Sequence, residues 1–273
     1  MSSASRDRLL RLVRRADADL AEAALLCCVE ADADLDVDLA LLRIDALADG
    51  LRSRGFVSGD PTDDARRLAG YLADDQGFRG DASTYHDPDN ALLTRVLDRK
   101  RGLPITLTIL YVAIARRLQV PAYAVNLPGH VVGAIGGAPR PVVFDPFHGG
   151  MVLDERMVAD RVAAATGGRQ GFRRSMVRPT PAADVIRRLL NNLTRDYLAA
   201  GRPRDALWTV EVKLLLPNRI PDDHRIHGDL LGRVGRFDRA GEAYETSLEV
   251  AGPDAADRET TRRAAIQSRA RLN

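Results

Sequence analysis

His130 and Asp145 are the pair in this chain best suited to moving a proton. An imidazole takes up and returns a proton near neutral pH, and a carboxylate beside it fixes its ring and its tautomer. With a thiolate at a helix N-terminus, where the dipole lowers the thiol pKa, such a pair completes a nucleophilic site that attacks carbonyls. The sequence supplies the frame in order. A helix starts near Pro104, His130 opens one predicted strand, and Asp145 closes another in the run from Val142 to Pro146. It supplies no thiol at the helix start. The nearest hydroxyls there, Thr106 and Thr108, lie inside the helix and lack both the low pKa of a thiol and the adjacent α-amine that activates a threonine nucleophile.

Each of these residues also has a structural reading. A histidine after Pro128 and Gly129 at a strand start serves equally as a hydrogen-bonded framework residue, and an aspartate before Pro146 anchors a turn. His148 lies three residues beyond Asp145, so His130, Asp145 and His148 offer three metal-ligand types. No His-x-x-x-His or Cys-x-x-Cys spacing accompanies them, and neither a metal nor any other cofactor is expected. Asn126 and Arg101 are further binding candidates at the same cleft, Arg101 because a guanidinium near a helix start meets anionic groups. His86, His224 and His227 read as surface residues. Cys27 and Cys28 are the only cysteines, adjacent to each other in the apolar run 23–29, and read as buried core.

The elements that must position these residues follow from periodicity. Apolar residues at Leu107, Leu110, Tyr111, Ile114 and Leu118 make the stripe of a helix over 103–118, with Pro104 tolerated in its first turn and Arg116 and Arg117 suiting its C-terminus. Three β-type runs follow at 122–125, 130–135 and 141–144, separated by Pro-Gly at 128–129 and a turn at 136–139. A helix packed on a small antiparallel sheet is the expected core. Before it, the stretch 6–72 reads as several short helices, one with Leu39, Leu42, Ala46 and Leu47 in helical rhythm after the caps Asp36 and Asp38. The loop 77–90 leads into a helix over 91–98 with Asn90 as N-cap.

After the sheet, the segment 201–206 (GRPRDA) recurs at 235–240 (GRFDRA), an offset of 34 residues that is the period of a tetratricopeptide repeat. Two helix-turn-helix units are expected, with Leu231 and Gly232 on one helix of the second unit and Ala240, Ala243, Tyr244 and Leu248 on the other, small residues allowing close approach. A generic pair of helical hairpins is the plainer alternative. The fold class is therefore α+β and mostly α: a helical region over 1–75, a core with a small antiparallel sheet over 76–178, and repeat-like helices over 179–273.

The formal net charge of +2, from 40 basic and 38 acidic residues, provides no long-range field toward nucleic acid or a membrane. The basic cluster Arg99, Lys100 and Arg101 reads as a solvated helix end. With no spaced cysteine pairs, no secretory leader and no apolar span, the expected compartment is the cytoplasm.

Several motifs in one order resemble the SirB-type bacterial proteins: 101–118 (RGLPITLTILYVAIARRL), 125–130 (VNLPGH) and 144–150 (FDPFHGG), preceded by LDVD at 35–38, LAD at 47–49, GFRG at 77–80 and DPDN at 87–90. The resemblance implies a transglutaminase-like core, of papain-like design, followed by tetratricopeptide repeats. Enzymes of that design open the helix with Gly-x-Cys, and the cysteine position falls at Pro104 or next to it, while His130 and Asp145 match the other two members. The family is named for a proposed role in regulating invasion genes. The expectation is a degenerate, non-catalytic core that binds or scaffolds, with a cleft at Arg101, Pro104, Thr106, Asn126, His130, Asp145 and His148 and a protein or peptide partner along 190–250. The competing expectation is a cysteine-independent amide or peptide hydrolase or transferase that uses His130 and Asp145.

Overall fold

A computed structural model describes residues 3–137, 140–252 and 255–271, so the middle of the expected turn at 136–139 lies outside the described residues. The chain divides into two compact units, 1–189 and 190–273. The fold is α+β and mostly α, with twelve α-helices and a four-stranded antiparallel sheet among the described residues.

The first unit is arranged around one helix, α6 (Pro104–Arg117). Proline at its first turn leaves no extra amide unsatisfied, and Arg116 and Arg117 close it. The sequence predicts one buried stripe, but every residue from Pro104 to Ala115 is buried. The cause is packing on all sides: β3 (Ala122–Leu127) and β4 (His130–Ile135) lie against it, as do α2 (Leu20–Cys28), α3 (Val37–Ser53) and α5 (Leu93–Arg99). A helix enclosed in this way is apolar around its circumference.

Asp36 caps α3 as expected by accepting from Leu39 N. The face that α3 buries differs from the predicted one. Val37, Ala40, Ile44, Ala48 and Leu51 are inside, whereas Leu39 and Leu42 are 60% and 62% exposed. Both sets share the helical period, so periodicity alone could not choose between them. Asn90 is not the N-cap of α5 either. Asp87 caps a 3-10 turn at Pro88–Asn90 by accepting from Asp89 N, and α5 begins at Leu93. Asn90 is fully buried, donating from Nδ2 to Thr84 O and accepting on its backbone carbonyl from Leu103 N and the Thr106 hydroxyl.

The sheet runs β3-β4-β5-β6, with β5 at Val142–Asp145 and β6 at Met151–Leu153. The first three match the predicted runs to within two residues at each end. β6 was not expected, because three residues after Gly149 and Gly150, both at positive φ, are too few to show alternation. Two short strands, β1 (Arg79–Gly80) and β2 (Arg101–Gly102), pair in parallel just before α6.

Alternation gives the large sheet two distinct faces. Phe144 packs toward Tyr111 of α6 on one face, with its ring over Gly133. Val125, Leu127, Val132, Ala134, Val143 and Leu153 occupy the other, against Val158 and Val162 of α7 (Glu155–Thr166). Register places Leu127 opposite His130, and Asp145 is two residues beyond Val143, so His130 and Asp145 belong to the α7 face.

The chain enters the second unit within α8 (Ala182–Ala199) and continues through α9 (Pro203–Leu215), α10 (Pro221–Arg233), α11 (Phe237–Ala251) and α12 (Arg258–Ala270). Gly201 and Gly235 form equivalent turns at φ 69° and 81°, a backbone region favourable to glycine. Leu231, Ala240, Ala243, Tyr244 and Ala265 make a shared core. The close approach of α10 and α11 is made by Gly228 rather than Gly232: a Cβ at 228 would lie 2.7 Å from the Tyr244 ring, whereas one at 232 meets nothing within 4 Å. One turn of helix separates the two glycines, and only packing selects the inner one. His227 is not a surface residue, since its side chain is 12% exposed and its Nε2 is buried without a hydrogen bond. His224 is half-buried, and burial lowers its pKa. His86 is exposed, as expected.

Gly228→Ala should destabilise the unfolding transition of the helical unit by about 1–3 kcal/mol through overpacking. Gly232→Ala should be neutral or stabilising by about 1 kcal/mol, since alanine is the better helix former. Urea melts of the two variants beside the wild type separate these outcomes.

Candidate functional site

Asp145 is the centre of the site. It ends β5 with no side-chain exposure, and Pro146 turns the chain into a 3-10 turn at Pro146–His148. A buried carboxylate must find donors. Phe147 N donates to Oδ1 at 3.1 Å, closing that turn. His130 Nε2 lies 3.0 Å from each carboxylate oxygen. His148 Nδ1 lies 2.8 Å from Oδ2, and the Arg161 guanidinium of α7 lies 3.1 Å from the same atom.

Burial alone would push the Asp145 carboxyl up. Hydrogen bonding and charge from His130, and then from His148, outweigh it and hold the pKa below the ordinary 3.8. The folded state therefore binds this proton less readily than the unfolded chain, so the contribution of the network is complete above pH 3.8 and is lost as pH falls through the lower folded value.

His130 opens β4 directly after the Pro128-Gly129 hairpin, where Gly129 adopts φ 70°. Its Nε2 is committed to Asp145, which leaves Nδ1 as the ring nitrogen available to a ligand. The side chains of His130 and His148 are 18% and 50% exposed, so the cluster has a buried floor and an open top. Phe147 packs edge-on against both imidazoles and against Tyr85, and its backbone carbonyl and ring press on Gly80, where a Cβ would sit 2.5 Å from either.

The other candidates stand elsewhere. Asn126 pairs with Val131, so its side chain faces away from His130; its backbone N donates to the Thr180 hydroxyl, and its Oδ1 is buried without a partner. Thr106 is buried and donates to Asn90 O. Thr108, also buried, reaches Val131 O at 3.4 Å. Pro104 is buried at the first turn of α6. Arg101 is exposed and donates to Gly77 O at 3.0 Å. None of these bonds of Arg101, Thr106 or Asn126 reaches His130 or Asp145. The structure thus brings together His130, Asp145 and His148 and leaves the other four outside their contacts. Alternation along 122–127 was the signal that could have excluded Asn126.

Two arginines escaped the sequence reading. Arg161 binds Asp145, while its Nε is buried without a hydrogen bond. Arg188 donates to Leu127 O at 2.7 Å beside the hairpin, and burial lowers its pKa. Both lie on helices far along the chain from His130, and nothing in their local sequence distinguishes them from the other arginines.

Cys27 and Cys28 are 1% and 2% exposed, and burial raises both thiol pKa values, that of Cys27 strongly. They are core residues of α2, as expected. Among the described residues no helix is long and apolar enough to cross a membrane.

Comparison with known proteins follows this geometry. The profile described as the transglutaminase-like superfamily matches residues 39–191. A UPF0162 protein of Xylella fastidiosa is 33% identical over 153 residues, covering 55% of this chain and 54% of that one. A UPF0162 protein of Pseudomonas aeruginosa is 30% identical over 172 residues, 62% of this chain and 61% of that one. Human F-box only protein 21 is 41% identical over 59 residues, 22% of this chain and 9% of that one. The chain thus spans little more than half the length of these bacterial relatives. Among solved structures, menin aligns over 97% of this chain and 68% of its own at 11% identity and a TM-score of 0.45, too low to bear on fold or function.

Asp145→Asn should cost about 1–3 kcal/mol at neutral pH, because it withdraws the charged acceptor from two imidazoles and a guanidinium. The gap from wild type should narrow as pH falls below 3.8, read from urea melts across pH. Native protein should present no thiol to Ellman's reagent and two per chain after denaturation.

Proposed function

The chain belongs to the transglutaminase-like superfamily, and from that premise we propose that it works as a binding or scaffold module on a core that has lost thiol catalysis. The observation that carries this reading is Pro104. The resemblance puts the nucleophile at Pro104 or next to it, where the chain offers no thiol, and both cysteines are sealed in α2 with raised pKa values. A histidine and aspartate held at 3.0 Å without a nucleophile form a recognition surface: a buried carboxylate orients the imidazole of His130, which has one ring nitrogen to offer beside the half-exposed His148. Such a surface suits a ligand with a carboxylate or an amide carbonyl, which accepts from imidazole donors.

The second unit supplies the other half of the reading. Its 34-residue echo with equivalent glycine turns supports tetratricopeptide-type repeats after the core, the SirB-type arrangement, and residues 190–250 are where a protein or peptide partner would dock. Two free buried thiols fit a reducing cytoplasm as the working compartment.

A second reading, favoured by the way Asp145 grips Nε2 and leaves Nδ1 available, makes His130 the general base of a cysteine-independent amide or peptide hydrolase or transferase. General-base assistance of this kind is worth about 10²–10⁴ in rate.

A thermal-shift screen of wild type and His130→Ala against peptides, amines and nucleotides, in the presence of a chelator and with products followed by mass spectrometry, tests the two. A ligand that raises only the wild-type midpoint and is recovered unchanged is the expected result. Turnover that disappears in His130→Ala yet survives replacement of both cysteines would sink the binding-module reading and establish the second.

A further inference from the structure

The contacts around Asp145 gather three metal-ligand types at one point. Oδ2 stands 3.0 Å from His130 Nε2, 2.8 Å from His148 Nδ1 and 3.1 Å from the Arg161 guanidinium, while Oδ1 takes Phe147 N and a second approach from His130. Two of these neighbours are imidazole nitrogens, each of which presents either a proton or a lone pair depending on its tautomer. His130 Nε2 is also equidistant from both oxygens, whereas a single N–H bond would be directed at one of them.

We propose that His130, Asp145 and His148 hold one first-row divalent metal ion of the zinc class. One ligand atom from each residue can be chosen so that all three lie within 4.8 Å of one another. An ion about 2.0–2.1 Å from each donor places adjacent ligand atoms about 2.8–3.0 Å apart in octahedral geometry and about 3.3 Å apart in tetrahedral geometry. The observed 3.0 and 2.8 Å fall in the first range. With an ion between them, both imidazoles turn a lone pair rather than a proton toward the centre, Oδ2 uses one lone pair on the metal, and Arg161 keeps the other.

The donor set selects the metal. Two imidazole nitrogens and one carboxylate oxygen suit zinc, cobalt, nickel or ferrous iron, whereas calcium and magnesium require oxygen ligands almost throughout. Arg161 and Phe147 N orient the carboxylate from behind, as outer-shell partners do at metal sites. Three protein ligands leave coordination positions open, and the half-exposed His148 sets them on the solvent side, where water or a ligand oxygen would bind. The expectation of no metal rested on spacing along the chain; folding replaces that spacing with the β4–β5 pairing and the turn after Asp145.

The inference does not rest on the binding-module reading, whose screen is run in chelator. The test is titration of chelator-stripped, desalted full chain with Zn²⁺ by calorimetry, with Mg²⁺ and Ca²⁺ as controls and Co²⁺ as a visible-absorption probe. One Zn²⁺ per chain is expected, with no response to Mg²⁺ or Ca²⁺. His148→Ala, at a half-exposed position and therefore folded, should weaken zinc binding by more than about 100-fold, beyond the range that outer-shell changes produce, and abolish the cobalt d–d band. Circular dichroism of His148→Ala and His130→Ala confirms that loss of metal is not loss of fold. Absence of wild-type zinc binding overturns the proposal, and so does zinc binding of unchanged affinity in His148→Ala, which would place the ion elsewhere.

Discussion

Asp145 can be fully buried only if the protein surrounds it with donors, and much of the first unit is arranged to provide them. Its position at the end of β5 fixes the start of the 3-10 turn, which puts Phe147 N and His148 on it. Register across the sheet puts His130 on the same face. α7, packed on that face through Val158 and Val162, delivers Arg161. The hairpin contributes one donor, the 3-10 turn two and α7 one. The depressed carboxyl pKa records that their combined attraction exceeds the penalty of burial.

The opposite face of the sheet serves another purpose. α6 is enclosed between the sheet and the N-terminal helices, so its side chains are spent on packing, including the hydroxyls of Thr106 and Thr108, which bond to backbone carbonyls. A reactive thiol at the start of this helix would require an exposed and polarised N-terminus. Here that turn carries a buried proline, and the next hydroxyl along the helix is tied to Asn90. Helix α6 and this face of the sheet are core, and the cluster around Asp145 lies on the α7 side.

The helical unit follows a different rule. Its turns repeat at a fixed offset, and its stability depends on how closely neighbouring helices approach, which Gly228 permits by leaving room for the Tyr244 ring. It also buries a charge pair, with Lys213 3.1 Å from Asp223 and 2.8 Å from Asn191 Oδ1. Removing one partner of such a pair is far more damaging than the pair is stabilising, so it constrains how the helices can be arranged.

The sequence by itself determined the order and type of the principal elements. The period of 103–118, the Pro-Gly break at 128–129 and the glycines at 201 and 235 are local signals that act through backbone preference, and helix α6, strands β3 to β5 and the helical turns all stand close to where those signals put them. The order of helix start, histidine and aspartate also pointed to His130 and Asp145 as partners, and the apolar run 23–29 to Cys27 and Cys28 as core. Only the tertiary structure decided which of two equally periodic faces α3 buries and which of two glycines in α10 is packed. It alone brought Arg161 and Arg188 to the site. The physical reason is the same in each case. Periodicity and capping act within a few residues, whereas burial, register and charge pairing are settled by neighbours that the chain brings in from far away.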